Sequence, residues 1–222
     1  MKKRTIIIIS LIILMLAVGA VVVYQATRKK PQAPNFIMEK DWHLSAGDQK
    51  IYEDRITAIM LKLSTATEDA IKFDLYSQLG FAEYGLGNLE ASKGYFEQAI
   101  RISSDQYGVH LGLFQTLVEM QDNQGAEDSI KQAISIKPQD PDFWRKYIQL
   151  EIDRFHAADD QINVLFEEAL NKTQSHIDVV TFYATWLEKV GNLHRAKELW
   201  QAAIEINPDK KAIYQQEIKR LE

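Results

Sequence analysis

From Tyr76 onward the large apolar residues of this chain return every three or four positions, the interval that lines them along one side of an α-helix. Tyr76, Leu79, Gly80 and Tyr84 form one such face, Gly87-Asn88 breaks it, and Ser92, Tyr95, Phe96, Ala99, Ile100 and Ile102 form a second. The pattern predicts a helix, a tight turn and another helix. It then recurs, with Leu113, Leu117, a turn at Asp122, then Ala126, Ile130, Ala133, Ile134 and Ile136. Pro138 ends that copy, because proline lacks an amide donor and disfavours helix in the residue before it. The last copy reads Tyr183, Ala184, Leu187, a Gly191-Asn192 turn, then Ala196, Trp200, Ala203, Ile204, Ile206 and Pro208.

Ala99 and Ala133 are 34 residues apart, Ala169 follows after 36, and Ala203 after a further 34. A fixed period of this length means one supersecondary unit stacked on itself. Small residues at Gly80, Ala99, Ala126, Ala133, Ala184, Ala196 and Ala203 let two helices approach closely, and Phe96, Trp144, Phe166 and Trp200 fill the space beside them. Neither helix of a unit can bury its face alone, so neighbouring units complete one another's core.

An aromatic, then Leu and a small residue, a turn, then Ala, an aromatic, Ala and Pro resembles the tetratricopeptide repeat. Trp144, Tyr147, Leu150 and Glu151, and again Tyr183, Trp186, Leu187 and Glu188, look like the HAT variant of that family. Either name implies the same architecture: all-α, a right-handed α-solenoid of TPR-like helix pairs. Four copies are expected, at 73–106, 107–140, 141–176 and 177–208. Three departures mark them. Ser104 stands where the family prefers Pro, Phe114 stands where a small residue is expected, and the third copy is two residues longer than those before it, with Phe155 to Asp160 at its turn. That turn is either an enlarged loop or a partner contact. Before the repeats, 47–72 reads as a leading half-repeat through Ile51, Ile56, Ile59, Met60 and Leu63; after them, 209–222 reads as a capping helix through Ala212, Ile213, Tyr214, Ile218 and Leu221.

The N-terminus has a different pattern. Residues 5–24 carry no charge and thirteen of them are Ile, Leu or Val. On the insertion scale this favours the membrane by about 4 to 8 kcal/mol, and a helix of that length spans the hydrocarbon core. The expected layout is a cytoplasmic tail at 1–4, a single N-terminal transmembrane helix at 5–24 acting as a signal anchor, and a linker at 25–46 opened by Pro31, Ala33 and Pro34. A cleaved signal peptide is the competing reading, with Lys2, Lys3 and Arg4 as its basic region and Val18-Gly19-Ala20 as its cleavage site. Arg28, Lys29 and Lys30 nearly balance the N-terminal charges, so the positive-inside bias is weak. The expectation is a single-pass protein of a bacterial inner membrane with its repeats outside the cytoplasm. There is no cysteine, hence no lipoprotein anchor and no disulfide.

Charge narrows the partners. The first thirty residues hold six Lys and Arg and no Asp or Glu, so the rest keeps 20 basic against 31 acidic side chains, a net of −11. Nucleic acid, which needs clustered Lys and Arg against phosphate, is not expected. A basic or neutral partner, or merely a solubilising surface, fits that excess. No catalytic pattern emerges. His43, His110, His156, His176 and His194 lack metal-ligand spacing, and Asp159-Asp160 and Glu167-Glu168 are neighbours that point apart on a helix. Gly85-Leu86-Gly87 follows a helix and lacks the third glycine of a dinucleotide loop. No enzyme activity, catalytic residue, cofactor, metal or small-molecule substrate is therefore expected.

In arrays of the resembled family the first helix of each repeat lines an inner groove. The matching positions are Asp74, Ser77, Phe81 and Tyr84; Leu111, Gln115 and Val118; Arg145, Gln149 and Ile152; and Asp178, Thr181, Thr185 and Glu188. Phe81, Tyr84 and Leu111 are apolar anchors for a partner or packing residues between repeats. The carboxylate clamp used by some members is absent, since Ser77, Phe81 and Gly112 occupy its places. The resemblance implies a membrane-anchored scaffold holding a protein or peptide segment, in assembly of an envelope, secretion or pilus-type complex. A transient assembly chaperone or an enzyme-accessory subunit is the alternative.

Overall fold

A computed structural model describes residues 44–222. The expected tail, transmembrane helix and nearly all of the linker lie outside the described residues. Among those described, no helix is long and apolar enough to cross a membrane, and no strand occurs.

The chain runs through α1 (Ala46–Thr65), α2 (Asp69–Leu86), α3 (Leu89–Ile102), α4 (Tyr107–Glu119), α5 (Asn123–Ile136), α6 (Pro141–Leu150), α7 (Asp159–Lys172), α8 (Ile177–Lys189), α9 (Leu193–Ile206) and α10 (Lys211–Arg220). Each helix packs on the next, and the first helices of successive pairs also touch, α2 with α4 and α6 with α8. The result is an α-helical solenoid of stacked pairs. Helix α2 begins at Asp69, ahead of the expected start of the first copy at residue 73, and α1 stops at Thr65.

Local chemistry sets the turns. Gly87 and Gly191 take φ of 82° and 83°, the left-handed region that glycine enters without steric cost, and so close the first and last pairs. Two of the second helices, α5 and α9, start on side-chain caps, with Asp122 accepting from the Gly125 amide at 3.0 Å and Asn192 from that of Arg195 at 3.3 Å. Between pairs, Trp144 Nε1 donates to the Pro138 carbonyl at 2.7 Å, and His110 Nε2 donates to the Ser104 carbonyl at 2.9 Å. The two bonds span the same six residues. His110 thus does for the second pair what Trp144 does for the third, and Ser104 needs no proline ring to end the preceding helix. The two extra residues of the third copy are taken up inside the helix. Glu151–Phe155 form a π-helical turn continuing α6, and His156 at φ 51° closes it.

The ruler alanines, Ala99, Ala133, Ala169 and Ala203, are all fully buried, as are Ala126, Ala184 and Ala196. Beside them the early seam is built on one ring. Phe96 is sealed between α2 and α4, where a Cβ on Gly80 or Gly112 would come within 2.7 or 2.4 Å of it. Ser92 donates to the Gly80 carbonyl at 2.9 Å and meets the Thr116 hydroxyl at 3.0 Å, so hydrogen bonds stitch α2, α3 and α4. The late seam is built on several rings. Phe166 stacks on Tyr183 with centroids 4.4 Å apart and meets Phe182 at 5.1 Å and Trp186 at 5.5 Å. At the ends, α1 buries only Ile59, whereas α10 docks through Tyr214 stacked on Trp200 at 5.8 Å.

Candidate protein-interaction groove

The first helices of the four pairs share one face, and there they enclose a hollow of about 350 Å³. Tyr84 comes from α2, Phe114, Gln115, Val118 and Glu119 from α4, Asp142, Arg145, Lys146 and Gln149 from α6, and Phe182 from α8. Phe114 and Val118 are buried and give the hollow its apolar floor. The rim is charged but balanced. Arg145 Nη1 lies 3.1 Å from Asp142 Oδ1, and the same guanidinium sits 5.9 Å from the Phe182 ring centroid, so a cation is held over an aromatic face. Tyr84 has its hydroxyl pKa pushed up to about 12, first by burial and then by the negative charge of Glu119. Gln149 is only 7 % exposed, and its Nε2 is buried without a hydrogen-bond partner.

A second hollow, of about 510 Å³, lies between α8, α9 and α10. Asp178, Thr181, Thr185 and Glu188 line it together with Trp200, Tyr214 and Arg220. Glu188 is committed to the chain itself, accepting from Trp200 Nε1 at 2.6 Å and pairing with Arg220. That carboxylate ties α8 to α9 and to α10. Thr181 and Thr185 donate back to carbonyls of their own helix, at 3.0 and 2.8 Å.

Of the positions read from the sequence, Tyr84, Gln115, Val118, Arg145 and Gln149 therefore meet in the first hollow, and Asp178, Thr181, Thr185 and Glu188 in the second. The other five reach neither. Asp74 is exposed on α2, and Ser77 donates to the Phe73 carbonyl at 2.8 Å. Phe81 is 44 % exposed but sets its edge against Phe96 at 4.9 Å, which makes it a shield for the early seam. Leu111 and Ile152 are half-buried against the core. Sequence reasoning missed Phe114, Glu119, Asp142, Lys146 and Phe182. Phe114 did carry a signal, as a large ring where the repeat wants a small residue. Among the described residues, no group of three His, Asp or Glu could hold a metal ion.

Residues 84–149 match the sequence profile of the tetratricopeptide repeat family. This segment is a tetratricopeptide repeat array. Solved structures share its fold at low identity. The structure of MamA is 17% identical, with 78% of this chain and 99% of that one covered at a TM-score of 0.58. YrrB, described as a TPR protein with an unusual peptide-binding site, is 14% identical, with 74% and 86% covered at 0.51. PilF of Pseudomonas aeruginosa is 17% identical, with 69% and 68% covered at 0.51. In TPR terms α2, α4, α6 and α8 are the first helices of successive repeats, and the first hollow lies on the face they share.

Proposed function

We propose that this protein is a non-catalytic scaffold whose TPR groove holds a segment of another polypeptide across α2, α4, α6 and α8. One observation carries the reading: a single hollow draws side chains from all four first helices, with an apolar floor at Phe114 and Val118 and a balanced polar rim. Burial of a partner side chain against that floor supplies affinity, and the rim supplies orientation. The likeness to YrrB supports a peptide ligand, since that protein is described by its peptide-binding site.

The uncharged run at 5–24 supports the further reading that the array is tethered to a bacterial inner membrane and works outside the cytoplasm. Tethering confines the search for a partner to the membrane surface and raises its effective concentration. Assembly of an envelope, secretion or pilus-type complex is the setting that this arrangement suits. A transient chaperone would use the same groove and differ only in releasing its partner.

A photo-crosslinking residue at Gln115 in the full chain tests the groove. The expected result is a discrete protein adduct from Gln115 and none from Gln132, which is exposed on a second helix. Adducts from Gln132 alone would refute the reading. A reporter active only outside the cytoplasm, fused at Glu222, is expected to be active; a silent fusion would reverse the topology.

A further inference from the structure

The side-chain nitrogen of Gln149 makes no hydrogen bond within the array that would explain its place. The residue lies on α6 among apolar neighbours, with Phe143, Trp144, Tyr147, Ile148 and Leu150 of the same helix all buried. A buried amide nitrogen without a partner is disfavoured, and most such groups in native proteins are satisfied. Here the unsatisfied group belongs to a residue in the wall of the groove.

We infer that Gln149 is the hydrogen-bonding centre of the groove and pairs with a main-chain peptide group of an extended, uncharged segment, whose large apolar side chain enters the hollow beside it. This rests on the groove reading above and names its ligand. A primary amide offers one donor and one acceptor side by side, the complement of a peptide N–H and C=O. A helical partner has those groups bonded internally, so it cannot supply them; an extended segment leaves them free. The dimensions agree. Four first helices at a usual axial spacing put about 24 to 30 Å between α2 and α8, roughly eight residues of extended chain. Charge selects a neutral segment, since Arg145 and Lys146 are matched in the lining by Asp142 and Glu119. The floor of Phe114 and Val118, with Phe182 at one wall, selects the apolar side chain.

The test uses the full 222-residue chain and a phage-displayed library of random linear peptides, with Gln149→Met as the near-isosteric variant that removes the amide. The selected peptides are expected to share one large apolar residue in an uncharged stretch. Gln149→Met is expected to weaken them about tenfold, the scale of a hydrogen bond to a buried group, while raising the melting temperature of the free protein. N-methylation of the peptide bond beside the apolar residue is expected to cost a similar factor with the parent and nothing with Gln149→Met. A lower melting temperature for that variant would overturn the inference, because the amide would then have a partner in the free protein. Affinity indifferent to both changes, a charged consensus, or helical bound peptides would also overturn it. If no selected peptide is lost on Phe182→Asp, the groove reading itself fails.

Discussion

The early and late seams of the array fill the same kind of gap by opposite means. Between α2 and α4 one ring, Phe96, is walled by glycines at positions 80 and 112, with Ser92 and Thr116 adding buried hydrogen bonds. Between α7 and α8 the walls are themselves rings, Phe182, Tyr183 and Trp186 around Phe166. The first is a seam of close backbone approach, intolerant of added atoms. The second is a seam of large side chains, in which removed atoms leave a void. Each repeat contacts chiefly its neighbours, so a lesion in either seam is expected to register locally before it registers globally.

Phe166→Ala should have the largest effect, about 3 to 5 kcal/mol by loss of a buried ring and the cavity left behind. Denaturant unfolding with amide exchange checks it, and protection should fall first in α7 and α8. Gly112→Ala should cost about 1 to 3 kcal/mol by overpacking against Phe96, against a helix-propensity gain of up to about 1 kcal/mol. A stabilised variant would mean that Phe96 can move aside and that the glycine wall is not tight. Ser92→Ala should cost about 1 to 2 kcal/mol, since the Thr116 hydroxyl loses a buried partner. The same substitution has no counterpart in the late seam.

Alkaline pH also separates the seams. Burial, then the charge of Glu167, pushes the Tyr183 hydroxyl up to about 12, and no group of the Ser92–Thr116 pair titrates in that range. The folded state keeps this proton when the unfolded chain, near its ordinary value of about 10, has lost it. The stabilisation is therefore complete below pH of about 10 and declines as pH rises toward about 12. Tyr183→Phe should flatten part of that decline, with Tyr84, Tyr95 and Tyr147, whose hydroxyls burial also pushes up, contributing to the remainder. Denaturant midpoints measured across this range check the sign; a midpoint that rises with pH would contradict it.

The sequence made the stacking legible because small residues and rings recur at a fixed period, and the buried alanines sit where that ruler puts them. It made the groove half legible. Gln115, Arg145 and Gln149 follow from helical phase together with the resemblance to the repeat family, but neither can tell that Phe81 leans on Phe96 or that Glu188 is taken by Trp200 and Arg220. Those outcomes depend on contacts between distant segments. Phe182 was hidden for a related reason: an aromatic on a helix reads as core until the neighbouring repeat is seen to leave it beside a hollow. The π-helical turn at Glu151–Phe155 was invisible as well, since a two-residue insertion reads the same in a loop or in a helix.

The central claim is that the shared face of the first helices is where a partner lies. A structure of the full chain with a captured partner segment tests it most directly. The segment should cross α4 and α6 between Tyr84 and Phe182, with a side chain over Phe114 and a main-chain group against Gln149. A segment seated instead on the second helices α3, α5 and α7, with the groove empty, would contradict the account.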